Sequence, residues 1–164
     1  MNRRIALMLA AISAAALALP GSALAQQKSL KDTIVGTWTV TSVSDQYDNG
    51  NKVNPWGAGM KGNLTFDANG HFTQILIGEK QASMKSDDPR RPDALALSYF
   101  GTYTVNEPDK TIIVRNEAAT NSIRVGAEQK WTVSGSGDKL TLSGSPRKDQ
   151  HGTFTPHLEV QRAK

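Results

Sequence analysis

Hydrophobic and polar residues alternate with a period of two along most of the chain after residue 33. Such alternation, interrupted at short intervals by Gly, Asn, Asp and Pro, is typical of antiparallel strands joined by turns. The predicted strands are 34–44, 62–66, 71–77, 99–105, 111–117, 128–133, 139–142 and 152–161. At eight strands, a closed barrel has room inside for side chains or one small ligand. The pattern therefore predicts an all-β fold, an eight-stranded up-and-down antiparallel β-barrel, with an open β-sandwich as the alternative.

The connections between these strands carry typical turn residues. Asp67-Ala68-Asn69-Gly70 predicts a tight hairpin, because Asn-Gly tolerates the positive φ angles that such turns require. The longest connection, 78–97, is polar, and its last four residues, 94–97, form an apolar run that predicts a helical turn or two. We expect this connection to lie across or beside one end of the barrel.

The first 25 residues have the composition of a cleavable export signal. Arg3 and Arg4 precede an apolar run of 15 residues, and Ala23-Leu24-Ala25 supplies the small-x-small cleavage pattern. The run is shorter than the ~20 residues that a membrane-spanning helix needs. We therefore predict a signal peptide at 1–25 that is cleaved after Ala25, a polar leader at 26–33, one barrel domain at 34–164, no stable membrane anchor, and a periplasmic or secreted location.

Charge and composition narrow the partners and the chemistry. Two of the 19 basic residues lie in the signal peptide, so the rest of the chain is nearly balanced against 15 acidic residues. It has no basic run, which argues against nucleic acid, and no cysteine to form a disulfide bond. His71, His151 and His157 lack the close spacing of a metal site, and no Gly-x-Ser-x-Gly motif occurs. The sequence thus predicts no metal, no cofactor and no catalytic residue, and it leaves the oligomeric state open.

The segment Gly36-Thr37-Trp38 predicts how one end of the barrel is closed. The first and last strands of a barrel are neighbours, and Arg162 lies near the end of the last strand. A guanidinium over an indole face gains cation–π and packing energy. The related segments Gly101-Thr-Tyr-Thr and Gly152-Thr-Phe-Thr carry their rings at the same phase, so we expect Trp38, Tyr103 and Phe154 to point inward.

Several segments occur in an order that resembles a known family. They are 34–40, 62–71, 98–103, 126–130 and 137–142. Together they resemble the lipocalin-like domain family of bacteria and fungal biosynthetic clusters, a calycin-type barrel, over residues 34–143. The resemblance implies the barrel and the Trp38–Arg162 closure, but no activity. Members often carry histidines in the fifth strand, where this chain has Val-Arg-Asn-Glu at 114–117, so histidine-based chemistry is not expected.

The candidate ligand-binding residues are aromatic side chains and one arginine. The rings available to line a cup inside the barrel are Tyr99, Phe100, Tyr103 and Trp131. The arginine, Arg115, interrupts the apolar fifth strand and has two interpretations. Either it faces solvent beside Glu117 and Glu128, as most charged residues do, or it points inward and binds a carboxylate or enolate.

These observations leave three functions open. The first is an exported binding protein that holds a small, largely apolar ligand in the barrel, with Arg115 for polar orientation. The second is a small barrel enzyme of cyclase, isomerase or hydratase type, in which Arg115 or a tyrosine steers proton transfer on a hydrophobic metabolite. The third is a protein-interaction module that acts through residues 78–97. The lack of a compact catalytic motif favours the first.

Overall fold

The computed structural model describes residues 28–80, 88 and 93–164, so the predictions for residues 1–25 and for much of the connection 78–97 lie outside the described residues. The described chain contains a short helix α1 (Leu30–Ile34) and the strands β1 (Gly36–Tyr47), β2 (Lys52–Val53), β3 (Lys61–Phe66), β4 (His71–Lys80), β5 (Ala94–Asn106), β6 (Thr111–Ala119), β7 (Glu128–Ser136), β8 (Lys139–Gly144), β9 (Arg147–Asp149) and β10 (Gly152–Arg162). A short 3-10 helix, Ser122–Arg124, precedes β7. Neither helical segment among these residues is long and apolar enough to cross a lipid bilayer.

The strands close into an antiparallel barrel. The eight strands of the barrel are, in spatial order, β1, β3, β4, β5, β6, β7, β8 and β10. The barrel is closed because β10 pairs with β1. In that closing pair Trp38 is opposite Arg162, and Val40 is opposite Val160. The short strands β2 and β9 extend the sheet beside β1 and β10. The predicted eight-stranded barrel is confirmed, and the open sandwich is wrong because the first and last strands are hydrogen-bonded to each other.

The two ends of the barrel have connections of different length. At one end, which we call the sealed end, the strands are joined by tight turns. The predicted hairpin is one of them: the backbone N–H of His71 donates to Asp67 Oδ1 at 2.8 Å, and Gly70 has a φ of +93°. At the other end, which we call the mouth, the connections that follow β1, β6 and β8 are longer, and much of the one after β4 lies outside the described residues.

The sealed end is built around Trp38. Its side chain is fully buried, and its indole N–H donates to a carbonyl oxygen of α1 at 2.7 Å. Arg162 lies over the ring at 4.2 Å from its centre and donates to the carbonyl oxygens of Val35 and Thr33 at 3.0 and 2.7 Å. Gly36 has a φ of +128°, and a Cβ there would lie 2.7 Å from the Arg162 guanidinium. The predicted Trp38–Arg162 closure is confirmed, and Gly36 is the residue that leaves room for it.

The inward-facing positions agree with the alternation in the sequence. Trp38 and Tyr103 are buried, and Phe154 shares the phase of the buried residues Pro156 and Leu158 on β10. All three rings therefore point inward, as predicted. Around them the barrel is filled by apolar side chains from every long strand, including Val43, Leu64, Phe72, Ile112, Val133 and Leu142.

The prediction for residues 94–97 is wrong. These residues begin β5 instead of forming a helical turn, because Leu97 pairs with Leu76 and Ala96 pairs with Ile77 of β4. A short apolar run is compatible with either structure in isolation, so the partner strand decided the outcome.

The helix α1 was not predicted, since the sequence indicated a polar leader that runs directly into the first strand. Ser29 caps its first turn by accepting a hydrogen bond from the N–H of Asp32 at 3.0 Å. The carboxylate of Glu107, from the turn between β5 and β6, accepts two more, from Leu30 at 2.6 Å and from Lys31 at 3.0 Å. A helix of this length is marginal alone, so these tertiary contacts stabilise it.

Candidate functional site

A cavity of about 370 Å³ opens at the mouth of the barrel. Its volume falls within the range of about 300–1,000 Å³ that is usual for small-molecule sites. The lining residues that the structure describes are Val43, Asp45, Pro55, Trp56, Gln74, Leu76, Leu95, Ala96, Leu97, Tyr99, Arg124, Gln129, Trp131, Arg147, Phe154, Pro156 and Leu158. The strands supply its walls, and the connections at the mouth supply its rim.

The deeper wall of the cavity is apolar. Leu76 on β4, Trp131 on β7 and Leu158 on β10 are each at most 5% exposed. They face one another because inward positions alternate along each strand of a barrel. Towards the sealed end, Trp38 and Leu64 are buried in the core, with exposures of 0% and 1%. One polar side chain, that of the buried Gln74, also lines this part of the cavity. The cavity is therefore a cup with a largely apolar lower part.

A pair of arginines lies at the mouth side of this cup. Arg124 comes from the connection before β7, and Arg147 is the first residue of β9. Both donate to the same atom, Oε1 of Gln129, at 3.2 Å from Arg124 Nη1 and 3.4 Å from Arg147 Nη2. Since one oxygen atom accepts from both, the two guanidinium groups are immediate neighbours. They concentrate positive charge in a partly buried place, where electrostatic interactions are stronger than in water.

Arg124 is positioned by a hydrogen-bonded connection. Asn116 on β6 is 1% exposed; its Nδ2 donates to the carbonyl oxygen of Arg124 at 3.0 Å, and its own carbonyl accepts from Gly126 at 2.8 Å. Asn121 caps the 3-10 helix by accepting from the N–H of Ile123 at 3.2 Å. Asn116 is thus a positioning residue that holds this connection against the barrel wall.

The two arginines influence each other and a buried tyrosine. Burial and the neighbouring charge of Arg124 lower the pKa of Arg147. Burial raises the pKa of Tyr99 to about 12, while the charges of Arg124 and Arg147 oppose that increase, and the phenol adjoins the amide of Gln129. Tyr99 is therefore a neutral phenol at physiological pH and can donate a hydrogen bond beside the arginine pair.

Asp45 is the acidic residue among the described residues that line the cavity. Burial raises the pKa of its carboxyl group, and the positive charge of Arg147 partly counteracts the increase. Within the described part of the chain, no carboxylate is in salt-bridge contact with Arg124 or Arg147. Among the lining residues that the structure describes, two arginines thus occur with one aspartate, which leaves an excess of positive charge.

Three of the five predicted ligand-binding residues point into the barrel. Tyr99 and Trp131 line the cavity and are brought together there. Tyr103 lies nearer the sealed end, where its hydroxyl donates to the carbonyl oxygen of Asp67 at 2.6 Å. Its ring packs edge-on against Phe66, with the ring centres 5.0 Å apart, so Tyr103 belongs to the core below the cavity.

The predicted placement of Phe100 and Arg115 in the cup is wrong. Phe100 is 50% exposed on the outer face of β5, because it alternates with the inward-facing Tyr99. The side chain of Arg115 is 65% exposed, and its Nη1 lies 3.8 Å from Glu128 Oε1. The interpretation of Arg115 as a solvent-facing partner of a neighbouring strand is the correct one. Arginine is present in the cavity, but at positions 124 and 147.

Sequence reasoning missed Arg124, Gln129 and Arg147. Gln129 lies inside a predicted strand, and its alternation with Trp131 was the available signal for an inward side chain. Arg124 and Arg147 lie outside the predicted strands, where alternation says nothing about the direction of a side chain. Their convergence depends on the pairing of β9 with β10, in which Arg147 is opposite Phe154.

Other arrangements of reactive side chains do not converge on the cavity. Ser143 Oγ and His157 Nδ1 are 2.8 Å apart. However, His157 alternates along β10 with the cavity-lining residues Pro156 and Leu158, so this pair lies on the outer face. Among the described residues, no group of three or more His, Asp or Glu side chains is arranged to hold a metal ion. The described lining thus combines apolar walls with a pair of guanidinium groups.

A larger depression of about 570 Å³ lies outside the sealed end, against α1 and the turn between β7 and β8. The packed pair of Trp38 and Arg162 separates it from the interior. Its lining includes the exposed turn residues Gly137 and Asp138, and none of its described lining residues is aromatic. The interior cavity is therefore the better candidate for a site that binds an apolar molecule.

Two solved structures are similar to this chain at low sequence identity. The chain is similar to a redesigned β-barrel, with 16% identity, a TM-score of 0.44, and coverage of 84% of this chain and 98% of that chain. It is also similar to the siderocalin Ex-FABP, whose structure is described as functioning through dual ligand specificities, with 6% identity, a TM-score of 0.33, and coverage of 79% of this chain and 70% of that chain. Both likenesses are too distant to carry an argument. Among curated proteins, no sequence matches this chain.

The family comparison is more informative. The model of the lipocalin-like domain matches residues 35–162. This range contains all the strands from β1 to β10 and both residues of the Trp38–Arg162 closure. The chain belongs to the lipocalin-like domain family.

Proposed function

We propose that the protein binds a small, largely apolar molecule in the cavity at the mouth of the barrel. The observation that carries this proposal is the cup itself, which is sealed below by Trp38, walled by Leu76, Trp131 and Leu158, and open at the mouth. Burial of an apolar ligand against such walls contributes about 25 cal/mol for each Å² removed from water. The family's barrel fold is consistent with this use, since barrels of eight strands have room for one small ligand.

We further propose that the protein acts in the periplasm or outside the cell, where it is released by cleavage after Ala25. The support is the composition of residues 1–25. Mass spectrometry of protein recovered from a periplasmic or culture-medium fraction should give a chain that begins at Gln26. Recovery of the full-length chain in the cytoplasm alone would contradict the export proposal without affecting the binding proposal.

The binding proposal is tested by thermal-shift and calorimetric titration with decanoate, farnesol and phenylacetate. At least one of these should raise the melting temperature and bind with a stoichiometry of one. The blocking variant is Leu97→Trp, because Leu97 is half-buried and lines the cavity, and a larger side chain there fills the space. The matched control is Ile113→Trp, since Ile113 is 38% exposed on the outer face of β6.

The proposal predicts that Leu97→Trp abolishes binding while Ile113→Trp leaves it unchanged. Both variants must first show the cooperative melt of the wild type. If Ile113→Trp weakens binding as much as Leu97→Trp does, the ligand is bound on the outer surface and the cavity is not the site. If none of the three compound classes binds, the proposed function is wrong.

A further inference from the structure

The cavity has a polar feature that an apolar ligand alone does not use. Arg124 and Arg147 share one acceptor, Oε1 of the neutral side chain of Gln129. Placing two cations side by side in a partly buried site costs free energy, since the charges repel and each loses part of its hydration. In the described part of the chain no carboxylate is in salt-bridge contact with either group. An arrangement of this kind is stabilised by an anion that binds both groups.

We propose that Arg124 and Arg147 form a head-group subsite for an amphipathic monocarboxylate, whose apolar tail lies in the deeper part of the cup. This inference rests on the proposed function, because it requires that the cavity be a ligand site. It specifies the class of ligand: one carboxylate joined to an apolar body.

The donors around the subsite fit a carboxylate. A guanidinium presents its N–H groups in a planar fork that matches the two oxygens of a carboxylate, and such charge-assisted hydrogen bonds are stronger than neutral ones. The Tyr99 phenol lies beside the pair and is neutral, so it provides a further donor. The donors therefore outnumber the acceptors at this place, as the recognition of an anion requires.

The charges favour one negative charge over two. Arg124 and Arg147 contribute two positive charges, and Asp45 in the same lining contributes one negative charge when ionised. Among the described lining residues, the excess is therefore a single positive charge. A carboxylate neutralises this excess, whereas a phosphate dianion overcompensates it and meets the repulsion of Asp45.

The order of groups along the cup gives the ligand an orientation. Arg124 and Arg147 come from connections at the mouth, whereas Trp131 and Leu158 belong to the walls inside the barrel. A carboxylate at the arginines thus stays near water while the tail replaces water against the apolar walls. The reverse orientation would move the charged group away from both guanidinium groups and leave it among Leu76, Trp131 and the neutral amide of Gln74.

The experiment compares ligands that share a tail and differ in the head group. Calorimetric titrations use decanoate, decanol, decylamine and decyl phosphate against the wild type, Arg124→Gln, Arg147→Gln and the control Arg115→Gln. Arg115 is a suitable control because it is an exposed arginine on the outer face. Arg124→Gln and Arg147→Gln are expected to fold, since each removes one of two repelling charges, and thermal melts check this directly.

Decanoate should bind the wild type at least about tenfold more tightly than decanol. Arg124→Gln and Arg147→Gln should each lower the affinity for decanoate by about tenfold or more and leave the affinity for decanol unchanged. Arg115→Gln should leave both affinities unchanged. Equal affinities for decanoate and decanol in all proteins would overturn the head-group subsite but retain the apolar cavity. Tighter binding of decyl phosphate would overturn the monocarboxylate. Failure of every ligand to bind would overturn the proposed function, and this inference with it.

Discussion

Arg124 and Arg147 lie side by side although they belong to different connections of the barrel, and one oxygen atom of Gln129 accepts from both, at 3.2 and 3.4 Å. This relationship organises the polar part of the cavity. The first arginine is held through the buried Asn116, and the second is held by the pairing of β9 with β10. The fold therefore keeps two like charges together at the mouth of a largely apolar cup, which is the arrangement that the proposed ligand would neutralise.

Asp45→Asn should stabilise the protein at neutral pH and strengthen the binding of decanoate. Burial raises the pKa of Asp45, so its ionisation disfavours the folded state. The protonated form of Asp45 stabilises the folded state, and this contribution is complete at pH values below the usual aspartate pKa. It is lost as the pH rises through the raised pKa of Asp45 in the folded protein. Melting temperatures should therefore differ between Asp45→Asn and the wild type at neutral pH and converge at acid pH.

The control for this prediction is Asp48→Asn, because Asp48 is exposed near the same rim. It should change the melting temperature little at any pH. A stability difference for Asp45→Asn that persists unchanged at acid pH would contradict the assignment of the effect to ionisation. A decrease in decanoate affinity would contradict the charge balance proposed for the cavity.

Arg115→Ala should change the free energy of unfolding by less than about 1 kcal/mol, because exposed ion pairs contribute little. A double-mutant cycle with Glu128→Ala, measured by urea unfolding, should give a coupling energy in the same range, since the 3.8 Å pair has both side chains more than 60% exposed. Binding of decanoate should not change. A large coupling energy, or loss of binding in Arg115→Ala, would show that Arg115 acts in a way that its outward position does not explain.

Much of the fold could be predicted because the barrel is specified by local rules. Alternation located all eight long strands, and Asp67–Gly70 marked a hairpin through its turn chemistry. The Gly36-Thr37-Trp38 segment predicted the sealed end, since a buried indole under an arginine needs a glycine where the guanidinium passes. Local rules did not predict the helix α1, because its first turn is stabilised by Glu107, which is distant in the chain. They also did not predict that residues 94–97 form a strand, because that depends on pairing with β4.

The candidate site was predicted only in part. Tyr99 and Trp131 lie on strands, and their inward direction follows from alternation. The same rule applied strictly places Arg115 outside, since it lies between the inward-facing residues Val114 and Asn116. The direction of Arg124 could not be predicted, because it depends on the Asn121 cap of the 3-10 helix and on the hydrogen bond from the side chain of Asn116. This hydrogen bond joins residues that are eight positions apart in the chain. Side chains in connections are placed by such contacts and not by periodicity.

Trp38→Ala should destabilise the protein by about 3–5 kcal/mol, as expected for removal of a large, fully buried ring. The substitution also removes the surface on which Arg162 packs at 4.2 Å and leaves the guanidinium beside a void. Urea unfolding measures the loss, and Trp56→Ala is the matched control because Trp56 is only partly buried at the mouth. A nearly neutral Trp38→Ala would show that the sealed end does not depend on this ring.

Glu107→Gln should make the melting temperature less sensitive to acid. The backbone N–H groups of Lys31 and Leu30 lower the pKa of Glu107, so its ionised form stabilises the folded state. This contribution is complete above the usual glutamate pKa and is lost as the pH falls through the lowered value. The wild type should therefore be more stable than Glu107→Gln at neutral pH, with the difference vanishing at acid pH. A difference that does not depend on pH would contradict the charged cap on α1.

The most direct test of the account is a crystal structure of the protein with ω-bromodecanoate, located by the anomalous scattering of bromine. The account predicts one bromine site inside the barrel, beside Trp131 and Leu158, with the carboxylate between Arg124 and Arg147. A bromine site on the outer face, for example near the exposed side chains of Ile75 and Phe100, would contradict the cavity as the ligand site. A bromine atom at the arginines, with the carboxylate at the bottom of the cup, would contradict the orientation of the ligand.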